Sequence, residues 1–168
     1  MNAIRLLESQ HQEVSEMFAK LEAAGDKAAA TRKMLFNRIA DALAVHGEIE
    51  ERIFYPAVKA RQTEELLRHS LEEHLEVKKL IANLLDMEPN DPAFEALCKE
   101  LQSGVLDHVG EEENELFPKI SSLLDAAKLE ELGEEMEELA TELKSAGAPV
   151  KPRELAAMES KQPPPSLE

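Results

Sequence analysis

Residues 46–56 read HGEIEERIFYP, and residues 108–118 read HVGEEENELFP. Both follow one pattern: His-x-x-x-Glu-Glu-x-x-apolar-aromatic-Pro. In a helix, residues four apart share a face, so each copy sets His and Glu side by side, His46 with Glu50 and His108 with Glu112. Whether that face is wet or dry follows from the apolar residues around it.

Working outward, apolar residues recur at alternating steps of three and four, the stripe of a helix turned toward a core. The first stripe is Ile4, Leu7, His11, Val14, Phe18 and Leu21. After the loop GDKAAAT, with Thr31 as the expected N-cap, a second carries Leu35, Ile39, Leu43, His46, Glu50, Ile53 and Ala57. The third holds Leu67, Leu71, His74, Val77, Ile81 and Leu84, and the turn EPNDP stops it at residues 88–92. The fourth holds Leu97, Leu101, Val105, His108, Glu112 and Leu116. Short connections between four such helices predict an all-α fold, an up-down antiparallel four-helix bundle over about residues 1–120.

A fifth stripe, Leu129, Leu132, Met136, Leu139 and Leu143, marks an acidic amphipathic helix over about 125–145, expected to lie against the bundle. Domain 1–145 then ends, and residues 146–168, rich in Pro, Lys, Ser and Gln, read as a flexible, disordered tail.

The composition agrees and sets limits. At 168 residues the chain suits one core, and its Leu, Ala, Glu and Lys favour helix over strand. A net charge of −16 leaves no basic face for nucleic acid. No apolar run approaches a bilayer span, and no signal-peptide core opens the chain, so the expected compartment is the cytoplasm. The lone Cys98 excludes an internal disulfide and reads as packing.

Each bundle stripe thus contains one histidine, His11, His46, His74 or His108, and two contain a glutamate. Counted from the turns at 1.5 Å per residue, all six fall at similar heights. Two carboxylates buried without partners would cost several kcal/mol, which a shared purpose must offset. Four imidazoles and two carboxylates suit a pair of transition-metal ions, iron first, with zinc or manganese also compatible. His69 lies about 140° from His74 around its helix and reads as surface. Tyr55 and Phe117 read as core caps, with the Tyr55 hydroxyl able to reach inward, and Glu51 and Glu113 as mainly solvated, with a hydrogen bond to a ligand histidine as their other use.

With that arrangement in hand, the chain resembles the hemerythrin-like HHE cation-binding domains. Their order of a lone His, HxxxE, a lone His and a second HxxxE is matched by His11, by His46 with Glu50, by His74, and by His108 with Glu112. The resemblance covers roughly residues 1–120. It implies a non-haem di-iron centre in which Glu50 and Glu112 bridge the irons and the histidines divide between them. Oxygen-carrying members have a second histidine where this chain has Ser70, and they end in HxxxxD where it has HxxxE. The implied role is therefore binding or sensing of oxygen, nitric oxide or iron, or repair of iron centres, rather than oxygen carriage; the resemblance leaves the oligomeric state open, a monomer among the choices.

Two other functions compete. A ferritin-like di-iron oxidase needs two ExxH motifs, and the chain offers only Glu8 with His11. A metal-free interaction module would use the acidic fifth helix and the Pro-rich tail, and it leaves the Glu–His layer without purpose.

Overall fold

The computed structural model describes residues 1–25 and 28–167, and every regular element among them is helical. Helix α1 (Ala3–Ala24) starts where the Asn2 side chain accepts the Arg5 amide, and buries the whole first stripe. Gly25, at φ 55°, ends it in a conformation that residues with a Cβ rarely adopt. Asp26 and Lys27 of the expected loop lie outside the described residues. Helix α2 (Ala29–Ile49) begins earlier than Thr31, after Ala28, and no side chain caps it. The run of alanines, the best helix formers, carries the helix back past the expected cap.

Helix α4 (Glu64–Leu85) follows the short helix α3 (Tyr55–Val58). Lys33 ends α4 by donating to the carbonyls of Leu84, Leu85 and Met87 at 2.8–3.0 Å, a cation on the carbonyl end of the helix. Asp91 caps helix α5 (Pro92–Glu111), with proline at its first position. Helices α6 (Phe117–Leu123), α7 (Ala126–Lys144) and α8 (Pro152–Glu159) complete the chain. Helix α1 packs on α2 and α7, α4 packs on α5, and α8 packs on both α2 and α4.

Two features depart from the sequence reading. First, a π turn joins α2 to α3 at Glu50–Phe54, and a second joins α5 to α6 at Glu112–Leu116. In each, the amide five residues on, Tyr55 or Phe117, bonds the glutamate carbonyl. A proline follows at once in both, and its ring would strike the carbonyl four residues back in a regular α-helix; the wider turn moves that carbonyl aside. The extra residue shifts the stripe by one position. Ile53 and Ala57, expected inside, give way to Phe54, Tyr55 and Val58, all fully or nearly buried.

Second, the expected flexible tail at 146–168 contains α8, whose Ala156 is buried. Arg153 pins it to α2, its amide and guanidinium donating to Asp41 at 3.0 and 2.7 Å. Pro152 at the first helical position was the available signal, masked by the polar composition around it.

The apolar interior forms two clusters. One gathers Leu7, Ile49, Phe54, Leu67, Phe117 and Met136; the other gathers Phe18, Phe36, Ile81, Phe94 and Leu101. Each fully buried side chain of this size contributes roughly 1.5–3 kcal/mol. Between the clusters lies the polar layer.

Candidate metal centre

All six residues singled out from the stripes meet in that layer. His11, His46, His74 and His108 come from α1, α2, α4 and α5, and each is at most 8% exposed. Glu50 and Glu112 each open a π turn and are 0% and 1% exposed. Within two groups, His11–His46–Glu112 and Glu50–His74–His108, the donor atoms lie within 4.8 Å of one another.

The carboxylates span the groups. Glu50 Oε1 stands 3.1 Å from Nε2 of His46 and 3.1 Å from Nε2 of His74. Glu112 Oε1 stands 3.2 Å from Nε2 of His11 and 3.3 Å from Nε2 of His108. Each glutamate therefore faces one histidine of either group, the placement a bridging ligand needs.

The outer ring nitrogens are occupied. His11 Nδ1 faces Glu113 at 2.9 Å, His46 Nδ1 faces Gln10 at 2.7 Å, His74 Nδ1 faces Glu51 at 2.8 Å and His108 Nδ1 faces Glu73 at 3.0 Å. Ionised carboxylates and amide oxygens only accept, so each Nδ1 carries the proton and donates it outward. The four partners form a circuit. Gln10 on α1 holds the α2 histidine, Glu51 beyond α2 holds the α4 histidine, Glu73 on α4 holds the α5 histidine, and Glu113 beyond α5 holds the α1 histidine. Every one of them is the chain neighbour of His11, Glu50, His74 or Glu112. Both glutamates thus take the second of their expected uses, bonding a histidine of the layer: Glu113 stays exposed while doing so, whereas the Glu51 side chain is buried and is further fixed by Lys78 at 2.8 Å.

What remains is a set of inward atoms with a shared need. Nε2 of His11 and of His46, both oxygens of Glu50 and Oε1 of Glu112 are buried without a hydrogen-bond partner. Nε2 of His74 and Nε2 of His108 face each other at 3.1 Å. Such crowding of acceptors demands positive charge. Burial disfavours a charged His74, yet the Glu50 and Glu51 carboxylates outweigh it and hold the imidazole up, at about 8. For the same reason Glu112 and Glu50 hold His108 well above its ordinary value against burial. Protons on Nε2 would meet this need in part, but the orphaned atoms lack hydrogen-bond geometry. Cations among them fit: imidazole and carboxylate donors of this mix suit iron, zinc or manganese.

Tyr55 lies off the expected stripe, and its hydroxyl reaches inward. It is fully buried, and its hydroxyl donates to Glu112 Oε2 at 2.8 Å while standing 3.2 Å from His74 Nε2. Burial, then the charges of Glu112 and Glu50, push its phenol well up, so it stays a donor. Ser70, buried on α4, acts on the phenol in the opposite, weaker direction. Phe117, as expected, packs in the core, stacked on His11 with centroids 6.0 Å apart. A cavity of about 50 Å³ adjoins the four histidines, walled by Val14, Val77, Ile81, Val105 and, from α8, Ala156. Gly47 lines it, where a Cβ would come within 3.8 Å of His74 Nδ1.

Known proteins resemble this chain in family and fold. The family model of the hemerythrin HHE cation-binding domain matches residues 2–120. A solved hemerythrin HHE cation-binding domain-containing protein from Mycobacterium kansasii has the same fold, with a TM-score of 0.75 at 24% identity. That match covers 96% of this chain and 93% of the other. A protein from Nostoc sp. named as a DNA nickase is 29% identical over 153 residues, 91% of this chain. The chain spans only 41% of that relative's length.

Proposed function

Because the chain belongs to the hemerythrin HHE cation-binding domain family, we propose that it is a non-haem di-iron protein that binds or senses oxygen, nitric oxide or iron itself. The observation that carries this reading is the pairing of Glu50 and Glu112 with one histidine from each group, all inner donor atoms buried and several without a hydrogen-bond partner. On this reading His11 and His46 would hold one ion and His74 and His108 the other, with Glu50 and Glu112 placed to serve both, in an up-down antiparallel bundle. Iron, when bound, would supply redox chemistry and affinity for a diatomic ligand.

The protein's own residues set the rest. Outward Nδ1–H bonds aim each Nε2 inward. Tyr55 keeps a proton donor at the centre, between Glu112 and His74. The cavity of about 50 Å³ is mostly apolar and matches a small uncharged ligand better than a polar metabolite. No described helix is long and apolar enough to cross a membrane, and we assign the protein to the cytoplasm. The nicking activity named for the longer Nostoc relative finds no support in a surface with net charge −16.

The test is anaerobic reconstitution with ferrous iron, then metal analysis and absorption spectra in air. About two irons per chain and near-ultraviolet ligand-to-iron charge transfer are expected. Replacing either His46 or His108 with alanine should lose iron and lower thermal stability, since binding and folding are coupled. A wild-type chain that refuses stoichiometric metal would sink the proposal. Uptake and release of oxygen by the reduced protein would separate carrier from sensor.

A further inference from the structure

Outside the buried layer, α4 contains a third His-x-x-x-Glu, His69 with Glu73, at the spacing of the two pairs that enter the centre. Both side chains reach the surface beside the end of α5, where Glu111 joins them. His69 Nε2 stands 3.3 Å from Oε1 and 3.3 Å from Oε2 of Glu111, and 3.6 Å from Oε2 of Glu73. One donor atom from each residue lies within 4.8 Å of the others. One ring nitrogen cannot satisfy three carboxylate oxygens, so the cluster has surplus acceptors and net negative charge. A divalent ion held at about 2.0–2.2 Å keeps neighbouring donors about 3.0–3.4 Å apart, close to the 3.3 and 3.6 Å that His69 Nε2 already keeps from Glu111 and Glu73.

Glu73 is not confined to this cluster. Its Oε1 accepts from His108 Nδ1 at 3.0 Å, while its Oε2 faces His69. Glu111 directly precedes Glu112 in the chain. Side-chain exposure of 53% for His69 and 35% for Glu111 opens the cluster to solvent, whereas Glu73, at 19%, points inward.

We propose that His69, Glu73 and Glu111 form a separate, solvent-facing site for a divalent transition-metal cation, joined to the buried centre through the Glu73 carboxylate. Imidazole with two carboxylates suits ferrous iron or zinc. The exposed site stands whichever cations the buried layer holds.

The test uses the full-length, iron-loaded chain equilibrated with Zn(II), with zinc and iron counted per chain after free metal is removed. Wild type should carry one zinc beside its iron. His69→Ala and Glu111→Gln should each weaken zinc binding at least tenfold and keep the iron, with helix content by circular dichroism unchanged. Absence of that zinc from wild type, or its persistence in both variants, overturns the proposal. A chain that takes up no iron fails the preceding reading instead. Zinc counted on that same sample still decides the exposed site, by a deficit of one ion in the two variants.

Discussion

The Tyr55 hydroxyl lies 2.8 Å from Glu112 Oε2, a donor from just beyond one π turn bonded to the glutamate that opens the other. Tyr55→Phe removes the proton and keeps the ring's packing. It leaves a buried carboxylate oxygen short of a partner, a cost of about 1–3 kcal/mol. Iron should still load, while the ultraviolet spectrum and the rate of reaction with oxygen or nitric oxide change. Stopped-flow absorption checks this; identical rates and spectra would reduce Tyr55 to packing.

Glu51→Gln keeps an oxygen for His74 Nδ1 but removes the charge and the ion pair to Lys78. Loss of an outer partner of this kind costs about 10–100-fold in metal affinity. Competition with a chelator measures it, and the same substitution at exposed Glu76, which pairs with Lys79 on the surface, should change nothing.

The π turns predict their own removal. Pro56 is exposed, so Pro56→Ala sacrifices little packing and restores an amide that can bond the Arg52 carbonyl in α-register. Glu50 should then be mis-aimed and iron affinity fall, with helix content equal or higher. Unchanged affinity with the π turn retained, seen by crystallography, would show that proline is not its cause.

Gly133 of α7 lies under the start of α1. A Cβ there would collide with the Met1 carbonyl and sit 2.9 Å from the Ala3 amide nitrogen. Gly133→Ala should destabilise by about 1–3 kcal/mol, roughly 3–10 °C in Tm, without altering iron content. Calorimetry on the loaded protein tests it.

Burial pushes the Cys98 thiol up to about 11, outweighing nearby Arg32 and Lys33. Thiolate is the reactive form, so at pH 8 only about one thiol in a thousand is ionised. Alkylation of the folded chain should rise about tenfold per pH unit between 8 and 10. Unfolded chain, with an ordinary thiol, should react roughly a hundredfold faster at pH 8. Mass spectrometry of timed reactions follows both.

Helical periodicity carried the reading as far as the two glutamates. Up to Glu50 and Glu112, steps of three and four place His11, His46, His74 and His108 at one depth, and the structure buries all of them. Beyond Glu50 the extra residue of the π turn breaks the phase, so regular periodicity points to Ile53 where the structure buries Phe54 and Tyr55. The sequence signal was there, in the aromatic-proline ending of both repeats. The pairings of Gln10 and Glu73 are illegible for a different reason. Each serves a histidine on a neighbouring helix, and no pattern along one strand of sequence reports that pairing. Helix α8 was hidden by composition, since eight residues that pack mainly through Ala156 make no stripe.

The outer circuit has a consequence for how the molecule comes into being. Gln10, Glu51, Glu73 and Glu113 each steer a histidine on the next helix, and the last returns to the first. No partial assembly of two or three helices can present a correctly aimed ligand set. A nascent or damaged chain would leave at least one imidazole unsteered. Capture of metal is thus a certificate that the whole ring has closed, issued by the protein to itself.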